Sequence, residues 1–182
     1  MSEEKLGVIE VIVGPMYAGK SEELVRRARR SLYSRQGVLI CSKDTRWGRG
    51  NLVTHGGQKA ESTYMESADE LLAADISKYS VICVDEGQFF GPNLKDVCIS
   101  LASQGKKVIV AGLDMDYLEA PFENMSFLMG VAEHVTKLTA VCECGRDATR
   151  THRKIKDDRR VLEGADAEYE PLCRRCYIRK TL

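Results

Sequence analysis

Eight consecutive residues near the N-terminus carry the clearest chemical signature, Gly14-Pro15-Met16-Tyr17-Ala18-Gly19-Lys20-Ser21. They match the pattern G-x-x-x-x-G-K-[ST] of a phosphate-binding loop at every defined position. In such a loop the glycines let backbone N–H groups face phosphate oxygens, the lysine places a cation on the β and γ phosphates, and the serine hydroxyl binds magnesium. A β-branched strand before the loop and an amphipathic helix after it favour this interpretation over a glycine turn with a solvated lysine. The loop therefore predicts binding of ATP with magnesium.

A second signature is the apolar run at 81–84, which is followed by two acids, Asp85 and Glu86. In phosphate-loop proteins the first acid lies near magnesium, and the second would lie close enough to the γ-phosphate to take a proton from an attacking hydroxyl or water. Taken alone, the pair would indicate solvated carboxylates at a strand end; beside a phosphate loop it indicates catalysis. Gln88 and Phe89 follow directly, and they suit either a pocket for a planar, hydrogen-bonding ring or the ordinary core.

Four cysteines near the C-terminus form two close pairs, Cys142 with Cys144 and Cys173 with Cys176. The chain has seven cysteines and no secretion signal, which favours reduced thiols and metal binding over disulfides. Two such pairs can build a tetrahedral sulfur site for structural zinc. His152 is a conceivable replacement ligand, and unligated thiols are the alternative. The remaining cysteines lie in apolar elements and are expected in the core: Cys41, Cys83 and Cys98.

The hydrophobic pattern alternates short apolar strands with amphipathic helices. Strands are expected at 8–13, 38–41, 81–84 and 108–111, and helices at 20–35, from 67 onwards and at 92–103. The helix after 67 opens with the spacing of a capping box, from Ser67 to Glu70. Strands alternating with helices indicate a parallel sheet covered on both faces. The predicted fold is an α/β, RecA-like phosphate-loop sheet with a small C-terminal zinc-binding domain.

Two segments depart from this alternation. The stretch 44–62 is polar and rich in glycine, and it is expected to be a long loop with a functional role. After about Leu138 the alternation stops and the cysteine-rich segment begins. A domain boundary is therefore expected there, with a nucleotide-binding domain at 1–138 and a zinc-ribbon-like domain at 139–182.

Composition and charge exclude several classes of protein. The 182 residues suffice for one main domain with a small appendage. Lysine and arginine number 27, as do aspartate and glutamate, and this balance argues against a dedicated nucleic-acid binder. The charged N-terminus lacks the apolar run of a signal peptide, and the apolar stretches are only as long as strands. We therefore expect a cytoplasmic protein with neither nucleic acid nor a membrane as partner.

Taken in order, the motifs resemble those of the type II thymidine kinases, the family of the cytosolic vertebrate enzyme and many bacterial ones. The phosphate loop has the Pro15-Met16 pair of that family, and residues 85–90 are very close to its acidic motif. Other motifs have counterparts at 43–46, 55–56, 112–117, 121–122 and 137–142, and residues 164–169 resemble the substrate-covering loop. Two departures are the first cysteine pair, which is normally C-x-x-C, and a covering loop that is one residue longer.

The resemblance implies transfer of the γ-phosphoryl group of ATP to the 5′-hydroxyl of thymidine, with Mg²⁺ and a structural Zn²⁺. Glu86 would be the base, Lys20 and Arg46 would serve the transferring phosphate, and Asp44 and Asp85 would lie near magnesium. The implied substrate pocket is lined by Met16, Gln88, Phe89, Leu113, Tyr117, Phe122, Val161, Gly164 and Tyr169. The resemblance also implies a homotetramer and feedback inhibition by thymidine triphosphate.

Two other functions fit the same motifs. The first is an ATPase that couples hydrolysis to a partner or nucleic acid, with Asp85 and Glu86 activating water. The second is a non-catalytic nucleotide-binding module whose zinc segment recruits a partner. A response of ATP consumption to thymidine separates the kinase from the ATPase, and the intact Glu86 argues against the non-catalytic module.

Overall fold

The computed structural model describes residues 6–43, 50–54, 56–162 and 167–181. Within them the strands are β1 (Val8–Gly14), β2 (Val38–Ser42), β3 (Asn51–Val53), β4 (Lys59–Glu61), β5 (Thr63–Tyr64), β6 (Val81–Asp85), β7 (Lys107–Leu113), β8 (His134–Lys137), β9 (Ala140–Val141), β10 (Asp147–Ala148), β11 (Arg150–Arg153) and β12 (Tyr169–Leu172). The helices are α1 (Lys20–Tyr33), α2 (Ala68–Ala73), α3 (Leu94–Ser103), α4 (Glu123–Val131) and α5 (Arg174–Thr181), and a single 3-10 turn covers Gly87–Phe89.

Parallel strands form the main sheet in the order β5-β2-β6-β7-β1-β8. The strands are almost continuously apolar because both faces of the sheet are covered. On β1, Val11 and Val13 belong to the core under α2, α3 and α4, whereas Ile12 belongs to the core under α1. The predicted α/β sheet with helices on both faces is confirmed, and Cys41, Cys83 and Cys98 are fully buried as expected.

The predicted helices are confirmed, with small differences in their bounds; α1 starts at Lys20 as predicted and ends at Tyr33. The helix expected from Pro92 begins two residues later, at Leu94, with Asn93 as its N-cap residue. Ser67 is the N-cap residue of α2, but its side chain makes no capping hydrogen bond. Instead the Glu70 carboxylate accepts the N–H of Glu66 at 3.0 Å, one residue earlier than a capping box requires. The helix prediction was right, and its capping detail was wrong.

The stretch 44–62 is not the continuous loop that its composition suggests. Its described part contains an antiparallel hairpin of β3 and β4, which runs along α1. Leu52 packs into the core under α1 and is 1% exposed. Glu22 of α1 accepts the N–H of Gly56 at 2.9 Å, and Arg29 donates to the carbonyl of Lys59 at 3.1 Å. Leu52 thus docks a hairpin whose other apolar strand residues, Val53 and Ala60, are only partly buried, and hydrophobic alternation does not reveal so weak a pattern.

The C-terminal strands and α5 surround a small apolar cluster of their own. Its members are Ala140, Cys142, Ala148, Leu172, Cys173, Cys176 and Tyr177. Tyr17 and Ala18 of the phosphate loop pack against this cluster, so the cysteine-rich segment lies directly beside the loop. Across the residues described here, every helix is too short or too polar to pass through a lipid bilayer.

Candidate active site

The phosphate loop and the acidic pair lie at one edge of the sheet. Strand β7 lies between β6 and β1, and all of these strands run in the same direction. Asp85 is the last residue of β6, and Gly14 at the end of β1 lies opposite Leu113 at the end of β7. In parallel sheets ligands bind beyond the carboxyl ends of the strands. This edge is therefore the candidate site.

The conformation of the phosphate loop depends on its glycines. Gly14 has φ 150°, and a Cβ there would lie 2.4 Å from the carbonyl oxygen of Leu138. Gly19, with φ 75°, is the N-cap residue of α1, so the loop leads directly into a helix N-terminus that favours anions. Lys20 Nζ donates to the carbonyl oxygen of Pro15 at 2.7 Å. The N–H of Met16 is already used, because it donates to the hydroxyl of Thr151 in β11 at 3.0 Å.

Lys20 is a partly buried cation among carboxylates. Burial lowers the pKa of its ammonium group, while the negative charges of Glu86, Asp85 and Asp114 act in the opposite direction. These three acids therefore lie near enough to Lys20 to favour its charged form. Asp114 follows β7 directly, is 3% exposed, and forms an ion pair with Lys137 at 2.7 Å.

Asp85 is buried and bound to the phosphate loop. The Ser21 hydroxyl lies 2.9 Å from one carboxylate oxygen of Asp85 and 3.1 Å from the other. Burial is the largest cause that raises the pKa of Asp85, to about 7, and the negative charge of Glu86 adds to it. The hydrogen bond from Ser21 and the positive charge of Lys20 lower the pKa and only partly offset this rise. Asp85 and Ser21 together offer oxygen ligands of the kind that magnesium prefers.

Glu86 has a left-handed backbone conformation with φ 55° and ψ 42°, which is unusual for a residue with a Cβ. Such a conformation costs on the order of 1–3 kcal/mol and persists only where the surroundings fix it. The Gln88 side-chain amide donates to the Glu86 carboxylate. The oxygen of the same amide accepts the N–H of Leu113 at 3.0 Å. Gln88 therefore connects Glu86 to the end of β7.

The space for the Gln88 amide comes from glycine. A Cβ on Gly112 would lie 2.6 Å from the amide oxygen of Gln88, so a larger residue would displace it. Asn124 of α4 donates to the carbonyl of Gly87 at 2.8 Å and holds the turn that follows Glu86. The turn that carries Glu86 and Gln88 is thus fixed from both β7 and α4.

The expected aromatic pocket residues form contacts with one another and with Arg153. Phe89 and Phe122 meet edge to face, with ring centroids 6.3 Å apart. The Tyr117 ring lies beneath the guanidinium of Arg153 at 3.7 Å, and Arg153 also donates to the Tyr169 hydroxyl at 2.9 Å. The structure therefore brings four of the expected pocket residues together as two pairs.

The remaining expected pocket residues have simpler surroundings. Leu113 is half-buried and held by Gln88, whereas Val161 is 44% exposed. Three residues of the predicted site lie outside the described part of the chain, namely Asp44, Arg46 and Gly164.

The four predicted cysteines lie together. The Sγ atoms of Cys142, Cys144, Cys173 and Cys176 are all within 4.8 Å of one another, and Cys144 and Cys173 are 3.7 Å apart. Sulfurs placed tetrahedrally at about 2.3 Å from zinc are separated by about 3.8 Å, so the cluster fits one zinc ion. The short C-x-C spacing does not prevent this, because Gly145, with φ 80°, turns the chain just after Cys144.

His152 does not join the cysteine cluster. Its Nδ1 lies 2.9 Å from a carboxylate oxygen of Glu170, and its ring meets the Tyr177 ring edge to face at 6.1 Å. The suggestion that His152 replaces a cysteine ligand was therefore wrong.

Comparisons with known proteins agree with this arrangement. The profile of the thymidine kinase family matches residues 7–177. The chain is 46% identical over 176 residues to the thymidine kinase of Bacteroides fragilis strain YCH46, covering 95% of this chain and 88% of that relative. It is also 46% identical to the thymidine kinase of Rhodothermus sp. strain ITI 518, covering 94% and 82% of the two chains. The chain belongs to the thymidine kinase family. The family resemblance expected from the motifs is thus confirmed.

A solved structure supports the fold of this thymidine kinase family member. The flagellar accessory protein FlaH from Methanocaldococcus jannaschii superposes with a TM-score of 0.54 at 14% sequence identity. The match covers 73% of this chain and 71% of FlaH. At that identity the likeness concerns the fold of the sheet and helices alone.

Several residues at the site were not predicted from the sequence. Asp114 could have been found, because an acid directly after β7 mirrors the acid that ends β6. Thr151, Arg153 and Arg160 contact the site from the cysteine-rich segment, and no local pattern marks them. Their contacts depend on tertiary packing between segments far apart in sequence, which periodicity does not reveal.

Proposed function

We propose that this protein is an ATP-dependent thymidine kinase, which transfers the γ-phosphoryl group of ATP to the 5′-hydroxyl of thymidine. The products are ADP and thymidine monophosphate. The observation that carries the proposal is the position of Glu86, held by Gln88 beside the phosphate loop that contains Lys20, in a chain of this family. An ATPase motor or a non-catalytic module does not account for the family match along residues 7–177.

The phosphate side of the reaction depends on charge and position. Lys20 neutralises the β and γ phosphates, while Ser21 and Asp85 supply oxygen ligands for Mg²⁺, which neutralises phosphate charge when bound. The short distances between the Ser21 hydroxyl and the Asp85 carboxylate support a shared role for the two. The expected roles of Asp44 near magnesium and of Arg46 at the transferring phosphate come from the family resemblance.

Glu86 acts as the general base. Its carboxylate takes the proton from the 5′-hydroxyl of thymidine as that oxygen attacks the γ-phosphorus. Gln88 is the positioning residue, because its amide is oriented by the N–H of Leu113 and donates to the Glu86 carboxylate. A base fixed in this way does not have to be ordered during the reaction, which lowers the barrier.

The nucleoside binds among the two aromatic pairs and the segment that follows Arg153. Phe89 and Phe122 offer apolar surface to a planar pyrimidine with a methyl group, and Tyr117 and Tyr169 provide a second part of the pocket wall. Met16, Leu113 and backbone groups of 161–169, including Gly164, complete the proposed pocket. Exclusion of water by this pocket would prevent hydrolysis of ATP.

The four cysteines hold a structural Zn²⁺. Their separations fit a tetrahedral sulfur site, and the metal would join the turn at 142–145 to the start of α5. The proposed division at about residue 138 assigns this site and the covering segment to a small C-terminal domain. From the family resemblance we also propose a homotetramer, feedback inhibition by thymidine triphosphate, and a cytoplasmic location.

The experiment that tests the proposed function measures ADP formation from ATP and magnesium with each of several nucleosides. We expect ADP to form with thymidine and to remain at background with uridine, guanosine or no nucleoside. ADP formation that is equal under all these conditions would refute the kinase proposal and favour an ATPase.

A further inference from the structure

Arg153 is a buried arginine at the end of β11, with 6% of its surface exposed. Its guanidinium donates to the carbonyl oxygens of Asp157 at 2.8 Å, Arg159 at 2.5 Å and Arg160 at 3.1 Å. It also donates to the Tyr169 hydroxyl at 2.9 Å. A planar fork of several N–H groups is the side chain best suited to binding such a row of oxygens.

Those carbonyls belong to a segment without regular secondary structure, residues 154–162. Backbone carbonyls in such a segment need partners that a helix or sheet would otherwise supply. Arg153 supplies the partners of three of these carbonyls. The Leu162 carbonyl accepts a hydrogen bond from the Tyr169 hydroxyl at 3.0 Å. The path of the segment therefore depends on Arg153 and Tyr169, which lie opposite one another on β11 and β12.

Arg153 also holds the opposite side of the site. Its guanidinium covers the ring of Tyr117 at 3.7 Å, while the Tyr117 carbonyl accepts the hydroxyl of Tyr177 from α5. Tyr117 is thus fixed at its ring and at its backbone by residues of the cysteine-rich segment. One buried side chain in this way joins Tyr117 to the segment at 157–162.

A second arginine fastens the outer side of the same segment. Arg160 donates to a carboxylate oxygen of Asp116 at 2.8 Å and to the carbonyl of Pro121 at 2.9 Å. Its guanidinium lies 4.8 Å from the centre of the Phe122 ring. Its side chain is half exposed, so this contact is the weaker of the two and depends on the backbone path that Arg153 sets.

We propose that Arg153 is a positioning residue for nucleoside binding. It holds residues 157–162 against Tyr117, so that the segment forms a wall of the thymidine pocket without direct contact between Arg153 and the substrate. The substrate part of this inference rests on the proposed thymidine kinase function; the effect of Arg153 on the segment does not.

The test compares Arg153→Met and Arg153→Lys with the control Arg30→Met. Lysine keeps the charge but cannot bind several carbonyls in one plane, so it separates charge from geometry. Arg30 is an exposed arginine in the last turn of α1, outside residues 154–162. Arg160→Met, at an exposed position, serves as a second variant that perturbs the segment without a change in the core.

Two measurements are made on each variant of the full chain. Amide hydrogen exchange of peptides across 154–162, followed by mass spectrometry without nucleoside, reports the order of the segment. Steady-state kinetics give KM for thymidine, KM for ATP and kcat. Thermal unfolding and metal content establish that the remaining structure is intact.

For both Arg153 variants we expect faster exchange across 154–162 and a thymidine KM raised about 10- to 100-fold, since three backbone carbonyls of the segment lose their partner. KM for ATP should change less than threefold. Arg160→Met should shift the same quantities in the same direction by less, and Arg30→Met should match the wild type. If the Arg153 variants do not fold, Arg160→Met decides the question by the same two measurements.

Wild-type exchange and thymidine KM in the Arg153 variants would overturn the proposal, as would faster exchange with an unchanged thymidine KM. If the wild type does not phosphorylate thymidine, the proposed function fails, and the exchange data alone still decide whether Arg153 orders the segment.

Discussion

Replacement of Gln88 by methionine tests how Glu86 is held. Methionine is similar in length and fills the same buried position, so the change removes the amide with little loss of packing. Two hydrogen bonds disappear, one to the Glu86 carboxylate and one from the Leu113 N–H. A hydrogen bond to a charged group contributes about 1.5–3 kcal/mol, and each 1.4 kcal/mol corresponds to about a tenfold change in rate. If most of the free energy of the hydrogen bond from Gln88 to Glu86 stabilises the transition state, its loss lowers kcat about 10- to 100-fold.

The assay is steady-state formation of thymidine monophosphate at varied thymidine concentration. We expect kcat to fall and KM for thymidine to change less than threefold, because Gln88 acts through Glu86. The loss of a partner for the Leu113 N–H should lower the free energy of unfolding by about 1 kcal/mol. Gln104→Met, which removes an exposed amide at the end of α3, is the matched control and should leave both values unchanged.

The alternative for Gln88 is direct contact with the thymine base, as the family resemblance implies. In that case Gln88→Met would raise KM for thymidine while kcat remained near the wild-type value. Such a split would refute the positioning role argued from the amide's two contacts.

Three further predictions concern the acids and the cysteines. Glu86→Gln should retain ATP binding, measured by titration calorimetry, and reduce kcat by about 10²- to 10⁴-fold, since the base is lost; normal turnover would remove Glu86 from that role. Asp85, whose pKa is raised to about 7 from 3.8, should stabilise the fold below about pH 4 and lose that contribution as the pH rises through 7, because its ionised form is then buried. The free energy of unfolding of Asp85→Asn minus that of the wild type, measured in urea without magnesium or nucleotide, should therefore increase from pH 5 to pH 8 by at most about 4 kcal/mol. The same value of this difference at pH 5 and at pH 8 would contradict the burial argument. Chelation should release zinc and unfold the segment from 139 onwards, seen as increased proteolysis there, and an unchanged cleavage pattern with no metal released would contradict the zinc site.

The sequence predicted the sheet and the phosphate loop because each leaves a strong local pattern. The β-branched runs of β1, β6 and β7 are short and apolar, as strands buried on both faces must be. The spacing from Gly14 to Ser21 restricts the loop to one known shape. Asp85 and Glu86 became candidates because they follow such a strand. In each case the residues that define the feature are neighbours along the chain.

The features that the sequence did not predict depend on contacts between residues far apart in the chain. The contacts of the Gln88 amide with Glu86 and Leu113 depend on space beside Gly112, which no local pattern marks. The hairpin of β3 and β4 was missed because Leu52 is the one fully buried apolar side chain among its described residues, which is too few for a periodic pattern. Arg153 lies in a segment rich in charged residues, and its composition does not distinguish a buried arginine from exposed ones.

The central claim is that Glu86 and the phosphate loop direct the γ-phosphoryl group to thymidine rather than to water. It is tested most directly by quantifying thymidine monophosphate, ADP and inorganic phosphate in the same reaction. We predict thymidine monophosphate and ADP in equal amounts with little inorganic phosphate, and almost no ADP when thymidine is omitted. ADP accompanied by an equal amount of inorganic phosphate, with or without thymidine, would contradict the account.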